Sequence, residues 1–137
     1  MANRVAVVGV GQTKHKSKHK DVSIAWLVRQ AAERALADAG CEWRDIDALV
    51  LGKAPDMFEG MTMPELYLTD ALGGNGKPVI RVHTAGSVGG STAIVAANYV
   101  QSGRYDRVLT VTFASSALAP ISSAAISARC PTIMLWW

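Results

Sequence analysis

The 137 residues suffice for one domain, and a composition half hydrophobic and 18% charged excludes a disordered chain. No uninterrupted apolar run approaches the roughly 20 residues of a membrane helix, and none has the form of a secretory core, so a soluble, cytoplasmic protein without membrane association is expected. The net charge of +3 comes from one segment, since without Lys14, Lys16, Lys18 and Lys20 it would be −1; this argues against a basic face for nucleic acid and leaves a solvated loop or a local anion contact. Cys41 and Cys130 are too few for a disulfide scaffold, and no Cys/His spacing suggests a metal.

Residues 4–10 (RVAVVGV) read as a buried strand, being β-branched and bounded by glycine. After the KHKSKHK loop, Asp21 or Ser23 offers an N-cap. A helix follows, with Ile24, Leu27, Val28, Ala31, Ala35 and Leu36 on one face and Arg29, Glu33, Arg34 and Asp38 on the other. Gly40 stands where a left-handed residue closes a helix. Residues 46–51 (IDALVL) read as a second strand. Residues 52–63 are irregular, and their methionines and Phe58 would line an acyl channel or a contact between chains, or simply pack. Pro64 opens a short helix, PELYLTDAL, ended by Gly73, Gly74 and Gly76.

Residues 78–83 (PVIRVH) give a third strand. The turn TAGSVGGS leads into a helix, STAIVAANYVQSG, closed by Gly103, and residues 106–113 (DRVLTVTF) give a fourth strand. The order β-α-β-α-β-α-β implies an α/β fold, a mostly parallel sheet with helices on both faces. Residues 114–137 differ. They are rich in Ala and Ser, lack a period, carry Arg129 as their one charge and end on two tryptophans. They are set apart from a domain at 1–113, as the product of a truncated or frame-shifted reading frame.

The junction after the third strand is the most informative stretch. A strand ends, the backbone turns through Gly86, Ser87, Gly89 and Gly90, and a helix begins. Such a turn aims amide hydrogens and the positive helix end at one place, where a nucleophile is activated or an oxyanion held. The alternative is that small residues are needed only for packing. A dinucleotide site is disfavoured: Gly9-Val10-Gly11 follows a strand but lacks the third glycine and an immediate helix. A Walker-type loop is absent, and the serine spacing does not fit a hydrolase elbow.

RVHTAGSVGGSTAIVAANYVQSGRYDRVLTV resembles the thiolase superfamily around its reactive-cysteine turn. RVAVVGVGQTKH and DIDALVLGKAPDMFEGMTMPELYLTDALG extend the resemblance over residues 3–113, to the thiolase-like lipid-transfer branch related to the sterol-carrier thiolases. The resemblance implies the N-terminal half of a thiolase fold, dimerisation, and acyltransferase or carbon–carbon bond chemistry on acyl-CoA thioesters. Coenzyme A would enter as part of the substrate, with no resident cofactor. In the family's Cys-x-Ser-Gly-Gly turn the cysteine falls on Gly86, so a covalent acyl-enzyme is not expected. Relatives without the cysteine resemble aldolases of sterol side-chain breakdown that pair with an OB-fold, zinc-ribbon protein. On this reading Gly86, Ser87, Gly89 and Gly90 contact the thioester, and His83 and Ser87 are the catalytic candidates. The resemblance places further catalytic groups in a second half that this sequence lacks, so the chain is expected to be inactive alone. The alternative is a non-catalytic acyl-CoA-binding or scaffolding subunit beside a thiolase-like chain.

Overall fold

A computed structural model describes residues 4–14, 22–53, 62–113 and 122–127. The lysine/histidine loop at 15–20 and most of the methionine loop, 54–61, lie outside the described residues. In chain order the elements are β1 (Ala6–Gln12), α1 (Ile24–Ala39), β2 (Ala48–Lys53), α2 (Pro64–Leu68), β3 (Val79–Val82), α3 (Val88–Gln101), β4 (Arg107–Phe113) and β5 (Ser122–Ser127). Short 3₁₀ turns at Trp43–Asp45 and Ala85–Ser87 precede β2 and α3.

The sheet runs β1-β5-β4-β2-β3. β2 is parallel to both β3 and β4, while β5 is antiparallel to β1 and β4. Four strands therefore share one direction and β5 alone opposes them, in agreement with the mostly parallel sheet expected. β5 is the addition. The sequence reading ends the sheet at Phe113, yet residues 122–127 form an inner strand bonded on both sides.

Side chains alternate across each strand, so each strand splits between two cores. Leu49, Leu51, Leu109, Val111 and Phe113 pack with Leu27, Val28, Ala31, Ala35 and Leu36 of α1 and Leu68 of α2. Ala48, Val50, Val82, Val108 and Ile126 pack with Ala96 and Val100 of α3 on the other face. Every residue of β2 is buried, as befits a strand covered on both faces. Asp47 fixes where it starts: its Oδ2 accepts from the amides of Asp106 and Arg107, both at 2.9 Å, tying the entry of β2 to that of β4. This and the 3₁₀ turn move the observed strand two residues beyond the 46–51 expected. Among the described residues, no helix is long and apolar enough to cross a membrane.

α1 follows its sequence signals at both ends. Ser23 is extended and its Oγ accepts from the Trp26 amide at 3.2 Å, while Gly40 is left-handed at φ 63° and returns its amide to the last turn. The Ser23→Ala substitution is expected to lower stability by about 1 kcal/mol. A urea titration followed by circular dichroism checks this, with Ser23→Asp, which keeps a capping oxygen, recovering most of the loss.

Candidate functional site at the carboxyl end of β3

The helices after β2 and β3 pack on opposite faces of the sheet, although those two strands are neighbours. In an open α/β sheet a ligand crevice lies at the carboxyl ends of such strands. His83 follows β3 at that end, and the turn into α3 comes next.

The turn is tighter than the sequence suggests. Ala85 takes a left-handed conformation at φ 47°, which costs a non-glycine residue about 1 kcal/mol. The Ser87 amide donates to the Thr84 carbonyl at 3.1 Å, and the Val88 amide to the Ala85 carbonyl. α3 then begins at Val88, three residues before the Ser91 start expected, because the 3₁₀ turn feeds directly into it. Gly89 and Gly90 are thus inside the helix's first turn, Gly86 is in the 3₁₀ turn, and Ser87 occupies the N-cap position.

The Ser87 amide, expected to face a thioester, is instead committed within the turn, as is that of Val88 beside it. The Ser87 hydroxyl donates to the Thr84 carbonyl at 2.8 Å rather than capping the helix. A hydroxyl whose proton points at a carbonyl, with no base receiving it, is a poor nucleophile. His83, Gly86, Ser87, Gly89 and Gly90 are all exposed. The sequence reading expects them to gather around a substrate thioester. The described residues bring them together on one surface but do not roof it.

What holds the turn in place lies beneath it. Val88 and Thr92 are buried, and Thr92 Oγ1 donates to the Val88 carbonyl at 2.6 Å. Gly52 in β2 makes room for them. A Cβ there would collide with Thr92 Oγ1 and stand 3.0 Å from Val88 Cγ2. The close approach that sequence reasoning assigns to Gly89 and Gly90 therefore belongs to Gly52. Above the turn there is space: among the described residues, nothing stands within 4 Å of a Cβ placed on Gly86 or Gly90. Lys53, fully buried at the end of β2, was also missed; its one signal is a cation closing the apolar run LVLG. Among the described residues no three His, Cys, Asp or Glu side chains gather as a metal site would require.

Residues 5–129 match the family described as thiolase, N-terminal domain, a span that takes in β5. Sterol carrier protein 2 of Gallus gallus is 30% identical over 124 residues, covering 90% of this chain and 22% of that protein. An acetyl-CoA acetyltransferase of Methanothermobacter thermautotrophicus is 33% identical over 109 residues, covering 77% of this chain and 27% of that one. The chain thus spans about a quarter or less of these relatives' length. The structure of the Ltp2-ChsH2(DUF35) aldolase is 28% identical with a TM-score of 0.63, covering 79% of this chain and 27% of that chain. The 3-oxoacyl-[acyl-carrier-protein] synthase III of Aquifex aeolicus VF5 shares the fold, with a TM-score of 0.76 at 13% identity over 94% of this chain and 55% of its own. The parallel sheet with one opposed inner strand, the turn into α3 and these matches agree, and the chain belongs to the thiolase family through its N-terminal domain.

Proposed function

We propose that this chain is the part of a thiolase-like enzyme of acyl-CoA and lipid metabolism that receives the thioester end of the substrate over the 83–91 turn. The space that the described residues leave above Gly86 and Gly90, at the carboxyl end of β3 where a helix begins, carries the reading. The chemistry of the complete enzyme is carbon–carbon bond making or breaking at an acyl-CoA. With Gly86 where the family resemblance places its cysteine, retro-aldol cleavage, as in sterol side-chain breakdown, suits the turn better than acyl transfer through a thiol. Such a cleavage needs a base for the hydroxyl proton and a stabiliser for the thioester enolate, and no covalent nucleophile. His83 is the candidate for polarising the substrate.

The remaining groups belong to a second half or a second chain. α3 supports this: over its 14 residues it carries no charge, and Ile94 is 63% exposed on its outer side. Its exposed side sets Ala93 and Ile94 beside no polar group stronger than Asn98 and Gln101, an uncharged face that suits a covering partner. The likeness to the Ltp2-ChsH2(DUF35) aldolase supports a thiolase-like oligomer with an OB-fold, zinc-ribbon partner. In the second reading the chain is a non-catalytic acyl-CoA-binding subunit, and the inward-turned Ser87 hydroxyl favours it.

The test is titration of the purified chain with a fluorescent acyl-CoA, alongside a chromatographic turnover assay on a β-hydroxyacyl-CoA that follows the shortened acyl-CoA and carbonyl product of cleavage as well as free CoA. Saturable binding without turnover is expected, and Gly90→Val should weaken it about tenfold or more at an unchanged circular dichroism spectrum. Equal affinity for Gly86→Val, Gly90→Val and the original chain would remove the turn from the binding site. Steady turnover, as shortened acyl-CoA or free CoA, that survives repurification would overturn the proposed inactivity of the chain alone. If addition of a DUF35 protein and a complete thiolase-like chain yields turnover that Gly90→Val in this chain leaves unchanged, the subunit reading prevails.

A further inference from the structure

β1 is an edge strand, and among the described residues no strand lies on its outer side. An exposed edge presents unpaired amides and carbonyls to any extended chain that meets it. Here the edge is not bare. The Val10 amide, which faces away from β5, donates to Asp38 Oδ2 at 2.9 Å. Two residues on, the Gln12 carbonyl accepts from Arg34 Nη1. Residues 10 and 12 have the same backbone orientation, so these are a donor and an acceptor of adjacent outward positions. An added strand would have to take both.

Arg34 and Asp38 are four residues apart on α1 and reach the edge because that helix lies unusually close to β1. Gly9 and Gly11 allow it: a Cβ on either would come within 3 Å of α1 backbone atoms, Ala35 O and Ala39 N for Gly9 and Ala31 O and Ala35 N for Gly11. The Gly-Val-Gly that resembles a fragment of a phosphate loop is thus the seat of a helix. The charges that sequence reading leaves on the solvated face of α1 act on the sheet edge.

We infer that Arg34 and Asp38 close the β1 edge against strand addition by a second copy of this chain. The reading is independent of the acyl-CoA proposal and uses none of its residues. Val10, 61% exposed on that edge, would otherwise offer both an apolar side chain and a free amide to the incoming strand.

The test compares the original chain with Arg34→Ala/Asp38→Ala by sedimentation velocity over a concentration series, and with Asp38→Ala by amide hydrogen exchange. The double variant should self-associate about tenfold more tightly than the original chain, and adding Val10→Lys should cancel the gain. In Asp38→Ala the Val10 amide should exchange about tenfold faster, whereas Asp38→Asn, which keeps an acceptor oxygen, should restore most of the protection. The inference is overturned if the double variant loses thermal stability without added association, or if the added association persists with Val10→Lys. If the double variant does not fold, the single substitutions decide: equal Val10 exchange in Asp38→Ala and the original chain overturns it.

Discussion

A chain ending at Phe113 is expected to lose its cooperative thermal transition and its near-ultraviolet circular dichroism. Among the described residues, β5 is what joins β1 to the rest of the sheet: its six residues pair with β1 on one side and β4 on the other. Removing it opens the ladder at the middle of the sheet and uncovers both cores, since Ala125 and Ile126 are each 2% exposed and point to opposite faces. A single substitution tests the same point in the whole chain. Ile126→Asp places an unpaired carboxylate beside Val108, Ala96 and Val100 and should cost about 4 kcal/mol or more. Such a loss is a large part of the 5–15 kcal/mol that stabilises a typical domain. A sharp transition at an unchanged midpoint in the shortened chain would mean that α1 alone holds β1.

The second large effect is expected at Gly11. The atoms facing it, Ala31 O and Ala35 N, belong to helix backbone, so no rotamer change makes room for a side chain. Gly11→Val must lift α1 from β1, separating Leu27, Ala31 and Ala35 from the core and breaking the Arg34 and Asp38 contacts to the edge. The expected cost exceeds about 3 kcal/mol in a denaturant titration. Gly86→Ala is the contrast: its Cβ meets nothing among the described residues, and a change below about 0.5 kcal/mol is expected. The same measurement on both variants separates a glycine needed by the fold from one left open at the candidate site.

Much of this architecture was legible because local signals and global packing agree in it. The caps of α1 are Ser23, one of the two N-caps the sequence offers, and Gly40, and its buried stripe is the one its periodicity picks out, apart from a half-buried Ile24 and a fully buried Ala32 that it leaves out. β1 to β4 are strands that β-branched runs announce, misplaced by at most two residues at either end. α2 was read to Leu72 but stops at Leu68, where the chain continues as turns to Gly73. β5 was illegible for a physical reason. Its SSAAIS has little intrinsic preference for a strand, and only its two neighbours make it one. The small side chains suit its position, with Ala125 in register with Leu109 under α1 and Ile126 with Val108 toward α3.

The site was legible in location and not in detail. A strand, a small-residue turn and a helix start were enough to select residues 83–90. The positive φ of Ala85, the inward Ser87 hydroxyl and the supporting role of Gly52 depend on contacts with strands far away in sequence. Gly9 and Gly11 carried the opposite lesson. Their spacing suggested a ligand loop in part, and the function they serve is helix seating.

The lone opposed strand also has a consequence in time. During translation β1 is made long before β5, the strand it pairs with among the described residues, which follows more than a hundred residues later. Until then the nascent chain holds β4 with one flank open and β1 resting on a helix alone, and closing that gap requires contacts of very long sequence separation. Assembly of this domain is therefore expected to be slow relative to its helices, and its vulnerable period to end only when β5 slides between strands that are already in place.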